Sequence, residues 1–69
     1  MLIKLESVGS VLDTKELMVY PMFNNGTIDI EDGTELNEET PNEWYSSLSE
    51  EDRMVVAITE LEHARYMSQ

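Results

Sequence analysis

Glu60 and His63, three residues apart near the C-terminal end of the chain, come nearest to a metal-ligand pattern. On a helix, Glu-x-x-His sets a carboxylate and an imidazole on one face. It is half of a carboxylate-bridged dimetal arrangement, which needs two such pairs and two further Glu from other helices. One copy is present, so only a dimer could assemble the set, and a solvated helix face accounts for the same residues. Asp29-Ile30-Glu31-Asp32-Gly33 gathers acids before a glycine as a calcium loop does. Counting back from Gly33, however, puts Ile28 and Ile30 at two positions that require oxygen ligands. Nucleophilic chemistry is no better supplied. Ser46, Ser47 and Ser49 lie where a helix starts, no Gly-x-Ser-x-Gly elbow is present, and His63 is the one candidate base. Gly9, Gly26 and Gly33 stand apart from one another, which leaves no phosphate-cradling loop. Paired carboxylates abound, but acid–base work needs a pocket that raises one pKa, and 69 residues leave little room for one. The chain reads as non-enzymatic, with no cofactor and no metal.

What remains is charge. The net charge is -11, and the 37 residues from Glu16 to Asp52 hold eleven carboxylates and no Lys or Arg. Solubility of a small domain needs a magnitude of only about 2 to 8. Such a surface repels nucleic acid and anionic membrane and favours encounter with basic surfaces, so neither nucleic acid nor membrane is expected as a direct partner. With no cysteine there is no disulfide or thiolate chemistry. Lys4 and Glu6 interrupt the first apolar residues, unlike a signal peptide, and no apolar run approaches a membrane span. A cytoplasmic location is expected. One domain over residues 1 to 69 buries about 60% of its unfolded surface. Its core is rich in methionine, which specifies shape weakly, so a second subunit or a partner could complete it.

The pattern predicts an α+β fold, a three-stranded antiparallel meander covered on one face by two helices. Residues 2 to 12 read as a first strand, with a bulge or bend at Gly9-Ser10, and 17 to 23 as a second with Pro21 at its edge. After the Asn24-Asn25-Gly26 turn, Thr27-Ile28-Asp29-Ile30-Glu31 alternates as a third strand, with Ile28 and Ile30 on one face. Thr40-Pro41-Asn42-Glu43 combines an N-cap, Pro at the first helical position and a capping-box Glu, opening a short helix over 41 to 48. Ser49-Glu50-Glu51-Asp52 caps a longer helix over 50 to 67 and places three acids in its first turn. Met54, Ala57, Ile58, Leu61 and Ala64 recur at spacings of three and four, widened by Val55 and Val56. They form a stripe expected to lie across Ile28, Ile30 and the first two strands.

Helix starts account for Glu43, Glu50, Glu51 and Asp52. They do not account for Asp29, Glu31, Asp32, Glu35, Glu38 and Glu39, which fall within eleven residues. These six, flanked by Tyr20 and Tyr45, are the candidate partner-binding residues, since aromatics are enriched at binding hot spots; Trp44 is assigned to the core. Three readings follow. An acidic rim steers the chain to a protein with a basic surface. Alternatively it mimics nucleic acid and blocks a basic groove; at one charge per about 1.7 Å of duplex, eleven charges imitate about 19 Å. The third reading is self-association as a homodimer, with the methionines and Val55/Val56 at the contact.

Val19-Tyr20-Pro21-Met22, Asn25-Gly26-Thr27, Glu43-Trp44 and Ser47-Leu48-Ser49-Glu50-Glu51-Asp52 together resemble small acidic accessory proteins of marine tailed bacteriophages, including those of cyanobacteria. The resemblance covers about residues 18 to 53. It implies a short cytoplasmic viral protein that binds and redirects host machinery, and it brings no catalytic residues with it.

Overall fold

The computed structural model describes residues 1 to 67. Its class is the expected one: an antiparallel sheet with a short helix and a long C-terminal helix. The sheet has four strands rather than three, β1 (Leu2–Leu5), β2 (Ser10–Asp13), β3 (Met18–Pro21) and β4 (Thr34–Glu35), in that spatial order. The helices are α1 (Asn42–Ser46) and α2 (Glu50–Met67).

The expected first strand is a hairpin. A 3-10 turn at Glu6–Val8 and Gly9 at φ 59° reverse the chain, so that Leu5 pairs with Ser10 and Leu2 with Asp13. The reversal needs a left-handed residue, which glycine supplies without steric cost. A single extended strand would strand Leu5 and Leu12 at opposite ends. Folded back, both become fully buried on one face. The next reversal is closed by the Asp13 carboxylate, which accepts from the Lys15 and Glu16 amides. It leaves Leu17 at φ 55°. That conformation costs a non-glycine residue about 1 to 2 kcal/mol, offset by about 1.5 to 3 kcal/mol from burying its side chain in the core.

The expected third strand over 27 to 31 is the largest departure. Only Ile28 bridges to Met22, and Ile30–Asp32 is a 3-10 turn with Ile30 exposed. Continued from Met22↔Ile28, the ladder would set Ile30 against Tyr20. Instead the pairs are Val19↔Thr34 and Met18↔Glu35, a slip of three residues. The slip allows the Leu36 amide to donate to the Leu17 carbonyl at 3.0 Å, and it buries Leu36 in the core. Period-two alternation at Ile28 and Ile30 is a local signal, and burial of Leu36 outweighs it. Ile28 and Ile30 border a hollow with Leu2, Asp13 and Tyr20. Tyr20 pairs with Val11, neighbour to the core-facing Leu12↔Val19 pair, so this hollow lies on the sheet face away from the core cluster.

The stripe expected on α2 is corrected as well. Val56 and Thr59 are its buried residues, with Val55 packed against the core. Met54, Ile58 and Leu61 are 65%, 53% and 56% exposed, and Ala57 and Ala64 are exposed beside them. Rotation of the helix is fixed at its start, where Ser49 Oγ accepts from the Asp52 amide as the expected N-cap. The Asp52 carboxylate in turn accepts from the Ser7 amide and hydroxyl, 45 residues earlier in the chain. That clamp turns the Val55/Val56 side inward and the longer apolar row outward. Among the described residues, no helix is long and apolar enough to cross a membrane.

Candidate functional site

The β4 edge and the start of α1 border a cleft of about 250 Å³. Val19, Pro21, Leu36, Pro41 and Trp44 give it apolar walls, and Ser10, Asp32, Thr34 and Thr40 stand among them. The sheet contributes Ser10 with its partner Pro21, and Val19 with its partner Thr34, all on the helix-bearing face. The opposite wall is positioned by a loop. Thr40 does not cap α1; its Oγ1 accepts from the Asn37 amide, and Asn37 Oδ1 accepts from the Glu39 amide. Pro41 takes the N-cap position and makes no side-chain cap bond. Closing residues 37 to 40 on themselves holds Pro41 and Trp44 over the cleft. A second hollow, lined by Glu35, Asn37 and Glu39, shares Thr34, Thr40 and Pro41 with the first.

The six candidate acids divide. Asp32 borders the apolar cleft, and Glu35 and Glu39 border the adjoining hollow. Asp29 reaches the group through Asp32: hydrogen bonding with the Asp29 carboxyl, then its like charge, holds the Asp32 carboxyl above its ordinary range. The Asp29 amide donates to the Pro21 carbonyl at 2.8 Å, tying the segment to the end of β3. Glu31 and Glu38 are exposed and lie outside both hollows. Among the described residues, no hydrogen bond or ion pair engages the carboxylates of Glu31, Glu35, Glu38 or Glu39; the ion pair Lys4–Glu6 lies elsewhere, on the β1 side.

The two tyrosines hold the fold. Tyr20 lies against Gly33 so closely that a Cβ there would come within 2.6 Å of its ring carbon Cδ1. Gly33 is therefore a position of close approach between the acidic segment and β3. The Tyr45 hydroxyl donates to Glu60 Oε2 at 3.2 Å, and burial, with Glu60 beside it, pushes the phenol pKa up. Glu60 is thus engaged in linking α1 to α2, while His63 borders a different hollow with Thr14, Lys15, Glu16, Glu62 and Tyr66. Among the described residues, no cluster of three or more His, Asp or Glu is arranged to hold a metal ion.

Trp44, assigned to the core by sequence, has a double role. It packs against the core, meets Tyr45 edge to face at 5.1 Å, and walls the cleft. No short-range signal foretold the second role, since the cleft that Trp44 walls joins residues as distant as Ser10. No family model, curated protein or solved structure matches this chain.

Proposed function

We propose that this chain is a non-enzymatic accessory protein of bacteriophage type. It docks on a basic surface of a host protein and modulates it. One observation carries the reading: an apolar cleft walled by Trp44, Pro21 and Pro41 opens directly beside Asp32, Glu35 and Glu39, whose charges the fold does not neutralise. A cleft of about 250 Å³ is small for a metabolite and of a size to take an apolar side chain. The acids around it favour a segment in which that side chain is flanked by Lys or Arg. Long-range attraction then raises the association rate and the apolar anchor slows dissociation.

Nucleic-acid mimicry is the narrower alternative, and magnitudes weigh against it. The longest extent of the chain is 39 Å, over which duplex DNA carries about 23 charges; the net charge here is -11. The test is capture from host lysate by the tagged protein at low and high salt, read by mass spectrometry. A single partner retained through its apolar anchor and lost with Trp44→Ala supports docking. Capture of only DNA-handling proteins, displaced by added DNA, would put mimicry in its place.

A further inference from the structure

The outward row of α2 is a separate surface. Met54, Ala57, Ile58, Leu61 and Ala64 occupy successive positions along one side of the helix, opposite the buried Val56 and Thr59. α2 thus leaves a second apolar row in solvent besides the side it buries, and an exposed apolar patch of this kind marks a contact surface. The row is bracketed by Arg53 and Arg65 and contains no carboxylate, in a chain with 15 acids and four bases. We infer that this row is a homodimer contact in which α2 packs antiparallel against α2 of a second copy.

Three features select that occupant. A basic host surface would meet one acid on this strip, Glu51 at its end, against two arginines. An anionic membrane is repelled by the net charge of -11. A second copy fits in size and in charge. With the row read as a heptad seam, antiparallel pairing sets Met54 opposite Ala64 and Ala57 opposite Leu61, large against small in each layer. It also sets Ile58 beside Ile58 near the two-fold axis. Glu51 and Arg65 each lie seven residues from Ile58, so Glu51 of each copy faces Arg65 of the other. The two-fold makes these pairs reciprocal; a parallel pair would instead turn Arg65 toward Glu60, which the Tyr45 hydroxyl already engages.

The contact strip from Glu51 to Arg65 is about 22 Å long for 15 residues. That places it at the small end of specific interfaces, so the dimer is weak and concentration-dependent. Each copy also repels the other through its net charge. Added salt therefore tightens the dimer while loosening any docking on a basic partner, which makes the two contacts separable in one titration.

Sedimentation equilibrium of the full chain, from about 0.01 M to about 1 M NaCl, is the test. The expected result is a monomer–dimer equilibrium that tightens with salt. Ile58→Glu is expected to weaken it by about tenfold or more, with helix content by circular dichroism unchanged because the position is exposed. Glu51→Arg and Arg65→Glu each weaken association, and the double variant recovers it. A monomer at every salt concentration overturns the inference, including one whose row binds phosphatidylcholine vesicles instead. So does a dimer indifferent to Ile58→Glu. Failure of the double variant to recover overturns the antiparallel arrangement.

Discussion

Asp52 and Asp32 are both exposed or half-exposed carboxylates in 3-10 or helical first turns, and they do opposite things. Asp52 sits at the start of α2 and accepts from the Ser7 hydroxyl and amide; these bonds hold its carboxyl below the ordinary range. Asp32 faces Asp29, whose carboxyl raises it. The fold thus uses the charge on Asp52 to fasten the β1–β2 hairpin to the long helix. It tolerates the charge on Asp32 at some cost. An acid that the fold stabilises needs no further explanation, whereas an acid that the fold strains, beside an apolar cleft, is where an external cation has most to offer.

The contrast can be broken by substitution, beginning with the largest expected effect. Reversing Asp29, Glu31 and Asp32 together to Lys should lower affinity for the captured partner by about a hundredfold at low salt, chiefly through slower association. Surface plasmon resonance across a salt series reads it, and unchanged affinity would remove the acidic edge from the proposal. Gly33→Ala drives a Cβ into the Tyr20 ring and should destabilise by about 1 to 3 kcal/mol in urea unfolding. A cost near zero would mean that the segment is not held against β3. Ser7→Ala, on the other side of the comparison, removes a donor to Asp52 and should cost about 1 kcal/mol while leaving partner affinity unchanged.

The smallest effects sharpen the comparison most. For Asp52 the folded pKa is lowered, so its contribution is present above the unfolded value of about 3.9 and disappears as pH falls through the folded pKa. For Asp32 the folded pKa is raised, so the favourable contribution exists below about 3.9 and is lost as pH rises through the folded value. Asp52→Asn should therefore destabilise at neutral pH and matter little in strong acid. Asp32→Asn should stabilise slightly at neutral pH and give no gain in acid. Urea midpoints at the two pH values decide it; identical responses would show that the two carboxylates are equivalent after all.

Local chemistry was legible wherever a few neighbouring residues suffice. The Ser49 cap, the three acids after it and the span of α2 are readable because an N-cap needs only a hydroxyl and an amide three residues on. The turn at Asn25 is readable for the same reason, its Oδ1 accepting from the Thr27 amide and hydroxyl. Thr40 failed as a cap because Asn37, outside the motif, offered its hydroxyl an amide first. The acids of the candidate site were readable as a surplus of charge. Their neighbour, the cleft, was not, because it is assembled from residues as far apart as Ser10 and Trp44.

By itself the sequence determined the α+β class, the excess of negative charge and its concentration between Asp29 and Glu39, since composition and short-range pattern depend on no distant contact. Only the tertiary structure decided which way the patterns faced. Ile28 and Ile30 alternate as a core strand should, yet the three-residue slip that buries Leu36 sends them to the other side of the sheet. Met54, Ile58 and Leu61 recur as a core stripe should, yet the Ser7–Asp52 clamp turns Val56 inward in their place. Periodicity fixes that an element has an apolar face; which face is buried depends on register and rotation, and those are set by contacts between residues far apart in the chain.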